Sequence, residues 1–334
     1  MACRQSAGDA MRRPSVAWSV AWLCALAGGE SPAAAPAEPP VGPRVAATAN
    51  GQTIAVVDET RRLITAFDTS RPDARRVLVG PAAAEAAEFV VVGYLTGDVV
   101  AAVCRAGDDW SVCTYRTAPD GPVDAGSPLQ RIPIGTGSGS AEQVDLAVSH
   151  ARGWLAITGL PAPLPAVLRA AVAGVRVGPL SDRGCPALAD DVIPVAATVS
   201  PADELVLILR AARADRPLAT GDEVAFYDLL GRELLRLPVG LPVVRRIEFG
   251  RGDQTLWAAA TGPADRSGLW RLDAALAAGM QVIRPTLVAP LDAPGDLVAS
   301  SPRAIVVVQG GAPARITVVD PTAPPDRKDP GADP

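Results

Sequence analysis

Histidine occurs once in the 334 residues, and lysine once, as Lys328. The single His150 excludes histidine-rich metal chemistry and leaves any Ser–His–Asp relay one possible base. Ser149 stands beside it, but no Gly-x-Ser-x-Gly elbow is present, so the pair reads as part of a turn. Basic excess is also missing: 31 Lys and Arg stand against 36 Asp and Glu, a formal net charge of -5. A surface built to neutralise phosphates is therefore not expected, and neither is a nucleic-acid partner. With Ala, Pro and Gly abundant and Arg carrying nearly all the positive charge, the composition reflects a GC-rich coding sequence rather than a functional demand.

Long apolar runs are scarce too. The best, residues 16–26, is broken by Ser19 and is too short to span a bilayer as an ordinary helix. It follows Arg12 and Arg13 and precedes Ala25-Leu26-Ala27, a small-x-small pattern. Residues 1–27 thus read as an export signal, with Met11 as an alternative start and Gly28 as the first mature residue. Cys24 is a poor lipid-anchor site, because Leu23 sits where a small residue is expected. Residues 28–43 form an Ala/Pro-rich linker, and 321–334 a Pro/Asp-rich tail expected to be disordered. The mature product is expected to be secreted or periplasmic, in the cell envelope, with no membrane span once the signal is removed.

Of five cysteines, Cys3 and Cys24 fall in the segment expected to be cleaved. Cys104 ends one apolar run and Cys113 lies in the next, so paired strands bring them side by side as a disulfide candidate in an oxidising compartment. Cys185 is left as a buried thiol. No zinc spacing exists, and residues 135–139 (GTGSG) lack the Lys and helix of a phosphate-binding loop; no metal or cofactor is expected.

What is present is a repeat. Six units each open with an apolar run, a small polar turn and a second apolar run: residues 45–58, 88–104, 144–160, 195–210, 246–261 and 296–310. Their turns centre near Gly51, Gly97, Arg152, Ala202, Gly252 and Pro302, at steps of 46, 55, 50, 50 and 50 residues. Residues 194–240 show the fullest unit, with a third run ending at Phe226-Tyr227-Asp228 and a fourth at 232–239. Third runs ending in Asp recur at Asp68, Asp273 and Asp320. Four short strands at this period predict an all-β fold, a β-propeller of six four-stranded blades spanning residues 44–320, with seven blades as the alternative. A twisted four-stranded sheet cannot cover both of its apolar faces alone, so neighbours must stack around an axis. That is why 205–209 and 305–308 are apolar at successive positions. The sixth unit lacks a fourth run, so either its blade has three strands or residues 40–44 supply the outer one.

The Ser200-Pro201-Ala202-Asp203 turn between aliphatic runs and the Phe226-Tyr227-Asp228 strand end resemble those of WD-repeat-like and TolB-like propellers. The Gly-His and Trp-Asp dipeptides of true WD repeats are missing, so the resemblance is one of architecture. It implies first strands lining a central channel; Trp110, Trp154, Trp257 and Trp270 lie on predicted strands and are expected to pack between blades rather than stack on sugars.

Chemistry has few candidates. Glu88, Asp145, Glu248 and Asp296 lie on or beside first strands and are candidates to line the channel. Clustered there they would serve as acid and base, in the manner of glycoside hydrolysis; paired with neighbours such as Arg245 and Arg246 they would not. The aspartates after third strands fit turn acceptors, and Arg251-Gly252-Asp253 fits a tight turn. The expected function is an exported, non-catalytic scaffold that binds a protein or small ligand at one face of the ring. The alternative is a propeller hydrolase, lactonase- or glycosidase-like, using channel carboxylates. Three or more acids at one channel mouth would favour the enzyme, and an arginine-balanced or apolar channel the scaffold.

Overall fold

The computed structural model describes residues 44–48, 51–58, 60–79, 87–117, 128–141, 143–213, 221–250, 255–262, 266–277, 280–292, 295–301, 304–309 and 315–320. The expected signal, linker and tail, and the Arg251-Gly252-Asp253 turn, lie outside them. No described residue is helical. No helix among them is therefore long and apolar enough to cross a membrane.

The described strands form six antiparallel sheets. Blade 1 holds β1 (Val45–Ala47), β2 (Thr53–Val57), β3 (Ile64–Asp68) and β4 (Arg71–Val79). Blade 2 holds β5 (Glu88–Thr96), β6 (Val99–Ala106), β7 (Asp109–Arg116) and β8 (Gln130–Thr136). Blade 3 holds β9 (Asp145–Ser149), β10 (Trp154–Thr158), β11 (Val167–Ala173) and β12 (Arg176–Val177). Blade 4 holds β13 (Val192–Val199), β14 (Leu205–Ala211), β15 (Glu223–Tyr227) and β16 (Glu233–Pro238). Blade 5 holds β17 (Val243–Phe249), β18 (Leu256–Thr261), β19 (Ser267–Ala277) and β20 (Met280–Pro290). Blade 6 has three described strands, β21 (Gly295–Ser301), β22 (Ala304–Gln309) and β23 (Arg315–Val319). Every blade runs in sequence order from inner to outer strand, so each fifty-residue unit is one sheet.

Successive apolar residues follow from packing on both faces. In β14, Leu205, Leu207 and Leu209 join a core with Ala147 and Trp154 of blade 3, while Val206 and Ile208 join one with Val244 and Ile247 of blade 5. In β6, Val99, Ala101 and Val103 face blade 3, and Val100, Ala102 and Cys104 face blade 1. The same split closes the ring: Ile305 and Val307 of β22 pack with Trp257 of blade 5, and Val306 and Val308 with Ile54, Val56 and Phe67 of blade 1. Six inter-blade cores thus join the six described blades in a cycle. The four tryptophans Trp110, Trp154, Trp257 and Trp270 each sit in one of these cores. Truncating a side chain such as Leu207, wholly buried, removes about 2–5 kcal/mol.

Turn chemistry matches the repeat. At the β13–β14 turn, Ser200 Oγ accepts from Glu204 N at 3.1 Å, and Asp203 takes a left-handed φ of 69°. Asp68 and Asp228 end their strands as turn acceptors, bonded by Ser70 N and Leu230 N, each at 2.8 Å. Asp273 differs from the expectation: β19 runs on to Ala277, and Asp273 pairs within the strand with Arg271 Nε at 2.8 Å. The β19–β20 hairpin continues its ladder past the position where other blades turn, so no turn is there for Asp273 to cap.

Candidate functional site

The inner strands converge on the axis, and β1, β5, β9, β13 and β17 line a cavity of about 570 Å³. Close approach is made by small residues. A Cβ placed on Gly93 of β5 would lie 2.9 Å from Val148 Cγ2 of β9, so a larger residue here would force the Val148 side chain to shift. The walls mix apolar side chains, such as Val92, Leu146, Val148, Val199 and Phe249, with the polar Thr198, Ser200, Asp203, Arg246 and Glu248, and Tyr94 contributes a buried ring. Burial pushes the Tyr94 phenol up to about 12, so it is a neutral donor at physiological pH.

The floor is an ion pair. Asp145 opens β9, fully buried, and its carboxylate meets the Arg246 guanidinium of β17, two blades away. The second carboxylate oxygen accepts the Ala197 N–H of β13 at 2.8 Å, and the first accepts Leu146 N at 2.6 Å. The physical reason is edge exposure. Each inner strand ends its sheet, so main-chain N–H groups on the channel edge have no neighbouring strand and need another acceptor. A bulge between Val244 and Arg246 re-aims β17, so that Arg246 lines the cavity while the adjacent Ile247 packs in the core.

Blades 4 and 5 repeat the device. Asp222 accepts Arg210 Nε and Nη2 at 2.9 and 2.8 Å, and the inner-strand Val244 N–H at 2.7 Å. The mouth is formed by first turns: Asp203 of blade 4 accepts from the Ser149 hydroxyl of blade 3 and pairs with Arg152 Nε at 2.8 Å. His150 is exposed at this rim and lines the cavity there.

Of the four carboxylates expected at the channel, Glu248, half-buried, lines this cavity, and Asp145 lies behind it, paired with the lining Arg246. Glu88 lies at the start of β5, where its strand partner Arg105 holds it at 2.8 Å, and does not line the cavity. The side chain of Asp296, on β21, lies outside the described ones. Asp203 was legible only as a turn residue; its partner Arg152 occupies the equivalent turn one blade earlier, which is the signal that could have joined them. Among the described residues no three or more His, Cys, Asp and Glu side chains gather to hold a metal ion.

Cys104 and Cys113 are buried, unbonded thiols between blades 1 and 2. Their mutual interaction, with burial, pushes Cys104 well above its ordinary value. Cys185 is remote from both, in the core joining blades 3 and 4.

No protein-family model and no curated protein sequence matches this chain. Solved structures do. TolB from Acinetobacter baumannii superposes with a TM-score of 0.52 at 12% identity, over 81% of this chain and 61% of that one. The chain therefore spans about three-fifths of TolB's length. Hydrazine synthase of Kuenenia stuttgartiensis gives 0.53 at 12% identity, covering 88% and 80% of the two chains. The PQQ-bound aldose sugar dehydrogenase of Streptomyces coelicolor gives 0.50 at 13%, covering 84% and 94%. At such identities the likeness is one of fold alone, shared by proteins of unlike activity. The described residues form a β-propeller of six sheets, and with these solved structures the chain shares its fold.

Proposed function

We propose that this propeller is a non-catalytic binding module of the cell envelope, taking its ligand into the axial cavity from the face that carries Ser149, His150 and Asp203. The observation that carries the reading is charge balance. Asp145 and Asp203, buried acids at floor and mouth, are each engaged by an arginine, Arg246 and Arg152. Chemistry on either acid would first have to break a buried pair. A volume of about 570 Å³, walled by apolar and polar side chains in similar measure, is in the range of small-ligand pockets. The ligand this suits has an apolar body and a hydrogen-bonding end reaching Thr198 or Glu248. Export of the module rests on the Arg12-Arg13 flank and the apolar run of residues 16–26.

The test is a fragment and short-peptide screen by ligand-observed NMR on wild type and Ala151→Trp. Ala151 is exposed at the cavity mouth, so the indole blocks the way in without entering a core. Hits losing tenfold or more in affinity support the reading, and hits all insensitive to the block overturn it. Turnover of a lactone, ester or glycoside panel that is lost in Glu248→Gln would replace binding with hydrolysis.

A further inference from the structure

We propose that Cys104 and Cys113 close a disulfide across β6 and β7 while blade 2 is still an open hairpin, before blade 1 packs over it. The register is the first support. Cys104 lies opposite Ser111 and Cys113 opposite Ala102, so the two thiols are diagonal neighbours on one face of the sheet. Around them, the Ser111 hydroxyl lies 3.7 Å from Cys113 Sγ, the Tyr115 hydroxyl 3.9 Å from Cys104 Sγ, and the Ala102 carbonyl 3.8 Å from Cys104 Sγ. Cys185 packs in a different core, its thiol 3.5 Å from the Ser181 carbonyl, so it is no rival partner in the folded ring.

Burial sets the timing. Cys104 and Cys113 are 2% and 3% exposed, covered by Ile64, Ala66 and Leu78 of blade 1. No oxidant reaches them through that core. The β6–β7 hairpin is local, whereas blade 1 meets blade 2 only through longer-range contacts, so the thiols are paired before they are covered. Diagonal Cα separations of about 7–8 Å exceed what a disulfide bridges without backbone movement. A free hairpin can draw its strands together more easily than a packed blade.

The oxidant is another disulfide, small or protein-borne. The thiolate of Cys113 attacks one sulfur of it, forming a mixed disulfide and expelling the first thiolate. Cys104, deprotonated, then attacks Cys113 Sγ, forming the Cys104–Cys113 bond and expelling the second thiolate. The two protons end on the two released thiols, and two electrons pass to the oxidant.

The test is refolding of the full chain in a glutathione redox buffer, alkylation under denaturing conditions without reduction, and peptide mapping by mass. The expected result is a linked 104–113 pair, two fewer alkyl groups than in the reduced control, and the same link in Cys185→Ser. Folded, reduced protein given oxidised glutathione is expected to gain no link. Full alkylation of Cys104 and Cys113 after oxidative refolding, or a link from either to Cys185, overturns the proposal. Ready oxidation of the folded form overturns its timing.

Discussion

Neighbouring blades are joined in two ways in this ring. Between blades 3, 4 and 5 the joints carry buried charge: Asp145 with Arg246 and the Ala197 N–H, Asp222 with Arg210 and the Val244 N–H. Between blades 1 and 2 the joint is mostly apolar, built from Ile64, Leu78, Phe89 and Tyr94 with the Cys104–Cys113 pair, and edged by the ring contact of Phe89 with Tyr115. The difference follows from where the partners start. Asp145 and Asp222 each stand one blade before an inner strand whose channel-edge N–H needs an acceptor. A carboxylate there satisfies the donor and then requires a cation of its own. The apolar joint has no such demand. One sector of the ring is therefore fixed by geometry-demanding contacts and the other by area.

Removing parts from each sector tests that contrast. The largest effect is expected from Arg246→Ala, which strands Asp145 as a buried, uncompensated charge and costs about 3–5 kcal/mol in urea unfolding. Ile64→Ala in the apolar joint is expected to cost about 2–5 kcal/mol, through lost burial and a cavity, with no dependence on salt or pH. Equal salt sensitivity of the two variants would erase the distinction. Glu88→Gln is expected to stay within about 1 kcal/mol of wild type, because the Arg105 pair is partly exposed. The smallest effect belongs to Asp228. Hydrogen bonds from the backbone and side chain of Arg232 hold its carboxyl below the usual value, so its stabilisation is present above the unfolded pKa and fades as pH falls. Asp228→Asn should flatten the acid limb of a melting-temperature profile slightly; an unchanged limb would count against that contribution.

The architecture was legible because burial on two faces leaves a strong imprint: unbroken apolar runs at β6, β14 and β22, spaced by turns at a fixed step. Phe226-Tyr227-Asp228 and the Ser200–Asp203 turn landed where the repeat put them. The site was far less legible. That Asp145 belongs under a cavity floor depends on Arg246 reaching it from two blades away, and on the bulge at Arg245 that turns the side chain inward. Neither a spacing nor a local pattern encodes that contact. Glu88 resembles Asp145 in the sequence, yet its strand register sets it opposite Arg105, and it pairs locally. Asp273 misled for a similar reason, since strand length in β19 is set by its partner β20 rather than by its own Asp.

The most direct test is a double-mutant cycle on the cavity floor, comparing Asp145→Asn, Arg246→Met and the pair by urea unfolding. If the two groups form a structural clasp, each single change is strongly destabilising and the double recovers much of the loss, giving a coupling of about 2 kcal/mol or more. Additive changes with small single effects would contradict it, and would return Asp145 to the set of acids free for chemistry.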